Sequence, residues 1–484
     1  MNSTRKTIGE GVFYTALAKY SNIFFSIAIG AVLARLLSPE EFGIVAIVTV
    51  FVTFFNLLTD FGIGPAVVQN QQLDSKDISS IFSFTIALGV SFSAIFFFSA
   101  PIIASFYNEN ELVNVSRLLS LAILFYSLQM IPKALNQKAL RFKQIGFVSV
   151  IVQLFSGVLA IILAYRGFSY YALVFRSILN SFLLFVIFYW LKPVKIAIRI
   201  QWEPIKKIAR FSSFQFLFNF INYFSRNADN LLIGKFFGSS SLGYYDKSYR
   251  LMMMPVQNLT NVITPVLMPV LSKYQHDKAR IFREYMKVVK LLSTIGFPLS
   301  VFLYFSASDI IQILYGSQWL DSIPVFKLLA LTVGIQMVLS SSGSIFQSVG
   351  RTDLLFYSGI MSAVVMVGGI CYGIFIEKKM VAVGYGLIVA FTINFFQGYY
   401  FLINKALSSE LSIFFKVLLF PLIIAIILGT ILWGCQNLWP LGLIYSFVCK
   451  LLVSGITFLT LILFRKENRE ILKKEFNKYI KRGS

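Results

Sequence analysis

Apolar runs of about 20 residues recur along almost the whole chain and are separated by short polar connections. Hydrophobic residues make up 57% of the 484 positions, and charged residues make up only 13%. A helix needs roughly 20 apolar residues to cross the hydrocarbon core of a bilayer, and a soluble core of this length would not need so many. The sequence therefore predicts an all-α polytopic membrane protein with no soluble domain between its spans.

The connections between the runs set the predicted topology. We count about 14 transmembrane helices. With the N-terminus in the cytoplasm, three basic connections fall on the cytoplasmic side, at 133–143, 192–210 and 273–287. The opposite connections carry acids, and the main exception is Glu377-Lys378-Lys379. The positive-inside rule then predicts that both termini are cytoplasmic, and it explains the net charge of +22 without nucleic acid as a partner. The first segment lacks a cleavage pattern and is interpreted as an uncleaved helix.

An internal repeat divides the chain. Shifted by 200 residues, Arg35-Leu-Leu-Ser-Pro-Glu-Glu-Phe-Gly43 aligns with Lys235-Phe-Phe-Gly-Ser-Ser-Ser-Leu-Gly243. At the same offset four identical pairs recur, namely Asn22 with Asn222, Phe24 with Phe224, Ala28 with Ala228, and Pro65 with Pro265. Because an even number of spans separates the copies, they have the same orientation. We predict two six-helix lobes in a parallel pseudo-repeat at 1–191 and 210–405, an interfacial linker at 192–209, two C-terminal helices at 406–464 and a basic tail at 465–484.

In the hairpin of the seventh and eighth predicted spans, the charged residues that lie inside the spans, away from their outermost positions, are Arg226, Asp229, Asp246, Lys247 and Arg250. Charge at membrane depth is unfavourable and usually marks a cavity or a partner. If the hairpin folds near Gly238, Asp229 is level with Lys247, and the two can neutralise each other. Arg226 and Arg250 then remain for an anionic substrate, which arginine binds through two parallel hydrogen bonds. The alternative is a structural network that pairs Asp246 with Arg250 and Asp229 with Arg226.

Three more charged residues fall inside predicted spans of the first lobe. Lys19 lies at about the depth of Asp60, so it either forms an ion pair with Asp60 or lines a cavity as a cation. Arg176 lies near the outer end of the sixth span. It either lines the cavity or extends outwards to the headgroups.

Sequence signals of several other functions are missing. The chain has no Walker A loop and no His-Glu-x-x-His motif, and it has one histidine and three cysteines without paired spacing. We therefore expect no metal and no cofactor. We also expect a transporter that is not an enzyme and that does not itself use ATP.

Four segments carry a resemblance to a known family. They are Arg35-Leu-Leu-Ser-Pro-Glu-Glu-Phe-Gly, Asp60-Phe-Gly-Ile-Gly-Pro-Ala-Val-Val-Gln, Asn227-Ala-Asp-Asn-Leu-Leu-Ile-Gly-Lys-Phe-Phe-Gly and Leu242-Gly-Tyr-Tyr-Asp-Lys-Ser-Tyr-Arg-Leu. These segments resemble the Wzx-type polysaccharide flippases of the multidrug/oligosaccharidyl-lipid/polysaccharide (MOP) exporter superfamily, and they are similar to the colanic acid exporters within that group. The resemblance covers nearly the whole chain.

The resemblance implies two lobes around a central cavity that opens alternately to either side of the bacterial inner membrane. The implied substrate is an oligosaccharide on undecaprenyl pyrophosphate, used for lipopolysaccharide or exopolysaccharide synthesis. Candidates for contact with the pyrophosphate are Lys19, Arg226 and Arg250. Candidates for ion coupling are Asp60, Asp229 and Asp246. Implied partners are membrane lipids, a polysaccharide polymerase and glycosyltransferases.

Two other functions stay open at this point. A multidrug-type antiporter of the same superfamily should offer unpaired acids to organic cations, whereas the surplus charge within these spans is basic. A membrane enzyme that acts on polyprenyl-linked sugars needs a catalytic acid or base near one membrane face, and the sequence shows no such cluster.

Overall fold

The computed structural model describes residues 2–70, 72–197, 200–438 and 442–464. Within these ranges no side chain is described for residues 2–13, 204, 206–222, 224–226, 261–262, 265–266, 437–438 and 464. The predicted basic tail at 465–484 and the side chain of Arg226 therefore lie outside the described residues.

Every regular element in the described ranges is a helix, which confirms the all-α fold class. The first eight helices are α1 (Asn2–Leu36), α2 (Pro39–Asp60), α3 (Ile63–Gln69), α4 (Ser75–Tyr107), α5 (Glu111–Lys138), α6 (Phe142–Tyr165), α7 (Tyr171–Leu191) and α8 (Trp202–Leu271). The remaining helices are α9 (Lys278–Phe305), α10 (Ala307–Tyr315), α11 (Ser322–Leu331), α12 (Val333–Leu339), α13 (Ser342–Ser348), α14 (Thr352–Cys371), α15 (Met380–Tyr399), α16 (Leu411–Leu438) and α17 (Leu443–Phe464).

Many of these helices are suited to a bilayer. Among the described residues, 11 helical segments are long and apolar enough to cross a membrane. The number is 12 if Ser322–Leu331 and Val333–Ser348, which are bent by 45°, form one broken span. The chain is thus a multi-pass membrane protein. The two arms of α8 lie where the seventh and eighth spans are predicted but are not among these segments, so the total of 14 is not confirmed.

Specific backbone signals create the two hairpin turns of the repeat. Ser38 Oγ accepts a hydrogen bond from the N–H of Glu41 (3.3 Å), and Glu41 Oε2 accepts one from the N–H of Ser38 (2.5 Å). This capping box, with Pro39 at the first helical position, starts α2 after only two residues that separate it from the end of α1. In the second copy, Gly238 breaks α8 with φ 82° and ψ 175°, a conformation that is open essentially to glycine alone. The second arm of α8 begins at Ser239.

The two turns touch through equivalent positions of the repeat. A Cβ on Gly43 would lie 1.8 Å from the carbonyl oxygen of Ser239, and a Cβ on Gly243 would lie 1.9 Å from the carbonyl oxygen of Pro39. Positions 39 and 239, like 43 and 243, are partners at the 200-residue offset. Reciprocal contacts of this kind arise when a two-fold axis relates two surfaces. We call these four residues the turn contact.

Alanine at either glycine of the turn contact is expected to lower the free energy of unfolding by about 1–3 kcal/mol. The reason is that its Cβ overlaps backbone atoms, which no change of rotamer can move aside. Thermal unfolding of Gly43→Ala and Gly243→Ala in detergent measures the effect. Gly30→Ala is the matched control, since a Cβ there meets no atom within 4 Å. Equal stability of all three variants would contradict the turn contact.

The chain forms two compact units, Met1–Asp246 and Lys247–Ser484. In the first unit, α3, α4 and α5 share an apolar core that includes Val67, Phe82 and Ile131. In the second unit, α14 and α15 approach closely enough for the backbones of Gly369 and Gly386 to touch. The predicted lobes have other boundaries and stay a prediction.

A buried ion pair holds α17 in the second unit. Lys450 Nζ donates to Asp309 Oδ2 at 2.7 Å and to the carbonyl oxygen of Phe305 at 3.0 Å, and Ser446 Oγ lies 3.3 Å from the same carboxylate oxygen. Both charged side chains are less than a tenth exposed. The rest of α17 is covered by little protein, because only 6% of the most apolar segment of this helix is buried. The pair is therefore the main polar attachment of this helix among the described residues.

Candidate functional site

Two cations of the first unit have no hydrogen-bond or ion-pair partner among the described residues. Lys19 lies midway along α1, and Arg176 lies five residues after α7 begins at Tyr171. Both side chains are partly buried. An unpaired cation inside a membrane helix is unfavourable unless it faces water or a ligand. Both residues therefore stay candidates for contact with an anion.

A chain of polar contacts crosses three helices between these cations. The amide of Gln153 in α6 donates to the carbonyl oxygen of Asn22 in α1 at 2.8 Å. One turn along α6, Ser156 Oγ lies 3.3 Å from the carbonyl oxygen of Gln153 and accepts a hydrogen bond from the amide of Asn180 in α7 at 3.4 Å. We call Asn22, Gln153, Ser156 and Asn180 the polar band.

The packing of α1 on α6 fixes the level of Lys19. The two helices run parallel, because Ala18 lies against Gly146 and, eleven residues later in both helices, Ile29 lies against Gly157. Lys19 follows Ala18 and is therefore level with the start of α6, one turn from Asn22 of the polar band.

The packing of α7 on α6 fixes the level of Arg176. These helices are antiparallel, because Asn180 meets Ser156, while Phe188 packs with Val148, eight residues earlier in α6. Arg176 precedes Asn180 by one turn and so lies one turn further towards the C-terminal end of α6. At 1.5 Å per residue, the two cations are about 20 Å apart along the axis of α6, on opposite sides of the polar band.

Asp60 lies at a break in the second predicted span. The next two residues, Phe61 and Gly62, have φ of 37° and 73°, and the carboxylate of Asp60 accepts a hydrogen bond from the N–H of Gly64 in α3. The cation that interacts electrostatically with this carboxylate is Lys133 of α5. Lys133 thus lies within electrostatic range of Asp60, and the predicted pairing of Lys19 with Asp60 stays a prediction.

Lys133 falls at the start of the predicted cytoplasmic connection at 133–143. In the structure α5 continues to Lys138, which puts Lys133 on a helix with an exposed side chain. Proline is tolerated inside membrane helices, and the absence of glycine up to Lys138 is the signal that favours a longer helix. One turn before Asp60 and Lys133, the side-chain oxygens of Asn56 and Gln129 are buried without a partner in the described residues.

Asp229 is buried in the hairpin of α8, and its carboxylate accepts two hydrogen bonds. The hydroxyl of Tyr245 donates to Asp229 Oδ2 at 2.6 Å, and the N–H of Asn230 donates to Oδ1 at 2.8 Å. Asp246 is also buried and close enough to interact electrostatically with Asp229, so two acids lie near each other. The predicted pairing of Asp229 with Lys247 stays a prediction.

Tyr245→Phe is expected to lower the free energy of unfolding by about 1.5–3 kcal/mol, because it removes a hydrogen bond to a buried carboxylate. Unfolding in detergent measures the change. Tyr165→Phe is the control, since that side chain is 80% exposed. A small effect of Tyr245→Phe beside a large effect of Lys247→Met would instead favour the predicted pair with Lys247.

The two cations of the eighth predicted span, Lys247 and Arg250, belong to the second unit and differ from each other in burial. Lys247 is buried, and its Nζ lies 5.2 Å from the ring centre of Tyr315 and 5.7 Å from that of Trp319. Both distances suit cation–π interactions. Arg250 is exposed. Arg226 is on a helix, but its side chain lies outside the described residues, so no contact tests its predicted role.

These groups are suited to binding an anion. Lys19 and Arg176 supply positive charge at two levels, and the amides of the polar band supply hydrogen-bond donors between them. Charge-assisted hydrogen bonds to phosphate are among the stronger polar contacts in proteins. Within the described residues, no three His, Cys, Asp or Glu side chains are placed to hold a metal ion.

Comparison with known proteins gives three findings. A family model described as "Polysaccharide biosynthesis protein" matches residues 32–324. The chain is 26% identical over 445 residues to the "Teichuronic acid biosynthesis protein TuaB" of Bacillus subtilis (strain 168), with 90% of each chain covered. It is 23% identical over 445 residues to the "Lipopolysaccharide biosynthesis protein WzxC" of Escherichia coli (strain K12), again with 90% of each covered.

The fold is similar to that of a solved structure titled "Lipid II flippase MurJ, inward closed conformation". The TM-score is 0.74, and the match covers 95% of this chain and 99% of that one. Sequence identity is 15%, so this likeness concerns the fold.

Proposed function

The chain belongs to the polysaccharide biosynthesis protein family, and from this premise we propose that it is a flippase for oligosaccharides linked to undecaprenyl pyrophosphate. The family match confirms the resemblance to polysaccharide flippases of the MOP superfamily that the sequence indicates. The proposed reaction moves the lipid-linked oligosaccharide from the cytoplasmic to the outer leaflet of a bacterial inner membrane. It is transport by alternating access and involves no catalytic chemistry.

The observation that carries this proposal is the pair of unpartnered cations at two levels of the first unit. A pyrophosphate is the most strongly charged part of the lipid-linked substrate, and it needs cations to replace its hydration inside a bilayer. Lys19, at the cytoplasmic level of the predicted topology, receives the pyrophosphate, and Arg176 holds it at the outer level. The polar band offers donors between them. The separation of about 20 Å is two-thirds of the hydrocarbon thickness of roughly 30 Å.

Lys133 adds a third cation near the level of Lys19. The parallel helices α5 and α7 approach at Phe125 and Phe182 and again where Arg141 donates to the carbonyl oxygen of Leu191, and Lys133 lies between these contacts. We therefore add Lys133 to the proposed pyrophosphate site. Asp60 balances its charge until the substrate arrives.

The second lobe contributes Arg226 and Arg250 in the proposed site, as the sequence suggests. The buried acids Asp229 and Asp246 are the proposed coupling groups, because neighbouring carboxylates bind a proton or a metal cation more readily than an isolated one. We place both termini in the cytoplasm. A polymerase and glycosyltransferases are the proposed partners in the same pathway, since they would consume and supply the lipid-linked oligosaccharide.

A multidrug-type antiporter is the alternative, and the charge of the site favours the flippase. Organic cations would need unpaired acids, whereas Lys19 and Arg176, which lie inside membrane helices of the first unit without a described partner, are basic. The experiment is deletion of the gene from its host. We expect loss of one surface polysaccharide and accumulation of its lipid-linked precursor in the cytoplasmic leaflet, both restored by the wild-type gene. Normal polysaccharide together with sensitivity to organic cations would contradict the proposal and favour the antiporter.

A further inference from the structure

Glu109 joins the connection between α4 and α5 to the second turn of the repeat. Its Oε1 accepts a hydrogen bond from the backbone N–H of Ser239 at 3.2 Å, and Ser239 is the first residue of the second arm of α8. The break at Gly238 frees the N–H groups of that arm from helical hydrogen bonds, and a carboxylate is a favourable partner at such an end. Glu109 therefore connects the α4–α5 connection to the turn contact through Ser239.

Two further contacts hold the same region together. The hydroxyl of Tyr107 donates to the carbonyl oxygen of Leu231 at 3.3 Å. Lys235 donates to the carbonyl oxygen of Phe106, and its Nζ lies 4.8 Å from the centre of that ring. The end of α4 and the connection that follows it are thus attached to the hairpin of α8 at three places, and the predicted topology puts all of them on the outer side of the membrane.

The surroundings of Glu109 do not favour its charge. Its Oε2 is buried and has no hydrogen-bond partner among the described residues. Burial raises the pKa of the Glu109 carboxyl above its ordinary value, and the hydrogen bonds from Ser239 offset part of this rise. The charges of Glu111 in α5 and Glu40 in α2 raise the pKa further. Tyr170, which precedes α7, interacts electrostatically with Glu111 and with Glu41 of α2.

The equivalent acid of the second repeat is used differently. Asp309, 200 residues after Glu109, forms the buried ion pair with Lys450. Position 39, the equivalent of Ser239, is proline and has no N–H to donate. The repeat therefore provides both a carboxylate and a matching donor only in the pair of Glu109 with Ser239. This asymmetry indicates a specific use for that pair.

We propose that Glu109 is a proton-responsive latch, which takes up a proton when the turn contact closes and releases it when the contact opens towards the outer side. Its role in releasing the substrate rests on the proposed function. The latch itself depends only on the contacts of the first unit.

The direction of the effect follows from the two states. In the open state Glu109 is exposed to water and has an ordinary pKa, so the closed state binds the proton more tightly. Lowering the pH therefore favours closure. As the pH falls, the shift towards closure begins near the raised pKa that Glu109 has in the closed state. The shift levels off below the ordinary pKa of 4.5, where the Glu109 carboxyl is protonated in both states.

The test is a distance measurement on the full chain in proteoliposomes without substrate. The three native cysteines are replaced by serine, and spin labels are placed at Leu36→Cys and Ser240→Cys, both exposed positions on the two turns. We expect the short-distance population to increase as the pH falls from 8 to 5. Glu109→Gln, which cannot ionise, should hold that population at its acidic level at every pH. Glu111→Gln should keep the response and move it to lower pH.

A second variant keeps the test informative if Glu109→Gln does not fold. Ser239→Pro makes the second turn like the first and removes the donor to Glu109, at a helical position that accepts proline. It should move the response to higher pH, because the ionised carboxylate loses its partner. A wild-type distance that does not change with pH, or a Glu109→Gln variant that responds like the wild type, would overturn the latch. Neither outcome depends on whether the substrate is a lipid-linked oligosaccharide.

Discussion

Arg176→Ala is expected to reduce the rate of oligosaccharide transport by about 30-fold or more while leaving the amount of protein in the membrane unchanged. The estimate follows from a loss of about 2 kcal/mol or more when a buried charge loses its hydrogen-bonded partner, at roughly 1.4 kcal/mol for each factor of ten. Arg176 has no partner among the described residues, so its removal breaks no internal contact there. The quantity to measure is lipid-linked oligosaccharide in the outer leaflet as a function of time.

Two controls separate charge, geometry and folding for this variant. Arg176→Lys keeps the charge but loses the planar pair of donors, so an intermediate rate is expected. Arg166→Ala removes a nearby exposed arginine just after α6 and should leave the rate unchanged. If Arg176→Ala and Arg166→Ala both transport at the wild-type rate, Arg176 extends to the headgroups and does not contact the substrate.

Lys450→Met is expected to lower the free energy of unfolding by about 3–5 kcal/mol, because it leaves the carboxylate of Asp309 buried without a countercharge. The effect is large because little else covers α17. The midpoint of unfolding in detergent, with a probe attached to α17, measures the loss.

The matched control is the double variant Lys450→Met, Asp309→Leu. Replacing both members of a buried ion pair by apolar side chains is often neutral, so most of the stability should return. Lys405→Met is a second control, since Lys405 is exposed and forms no ion pair among the described residues, and its Nζ lies 5.8 Å from the centre of the Tyr400 ring. A double variant as unstable as the single one would show that the ion pair is not what attaches α17.

Much of the fold could be predicted because its signals are local. Apolar length indicates the helices, and the sequence around Ser38 and Gly238 contains the turn signals of the two hairpins. The 200-residue repeat also has a direct structural counterpart, since Gly43 and Gly243 make reciprocal contacts in the turn contact. A glycine at the same position of two copies is informative when the backbones approach too closely for a side chain.

The partners of the charged residues could not be predicted, because they depend on how distant helices pack. Asp60 interacts with Lys133 only because α5 lies along α2 and continues past Pro132. Asp229 accepts a hydrogen bond from Tyr245 on the other arm of the α8 hairpin, and a tyrosine carries no charge that would mark it as a partner in the sequence. Estimates of depth from the sequence have an uncertainty of several residues, which is larger than the difference between one partner and the next.

The polar band also could not be predicted from the sequence. Asn22, Gln153, Ser156 and Asn180 are ordinary polar residues within apolar runs, and none of them is ionisable. Their significance lies in the parallel packing of α1 on α6 and the antiparallel packing of α7. Neither packing arrangement has a signature in a single sequence. By contrast, Lys19 and Arg176 could be identified because charge in a membrane helix is rare.

The most direct test of the account is transport by the purified chain in liposomes. Fluorescent oligosaccharide on undecaprenyl pyrophosphate is placed in both leaflets, and an added glycosidase reports how fast the protected inner-leaflet pool becomes accessible. We expect rapid exposure of that pool with the wild-type chain, slow exposure with Arg176→Ala, and wild-type exposure with Arg166→Ala. Exposure no faster than in protein-free liposomes, under an imposed proton or sodium gradient as well as without one, would contradict it.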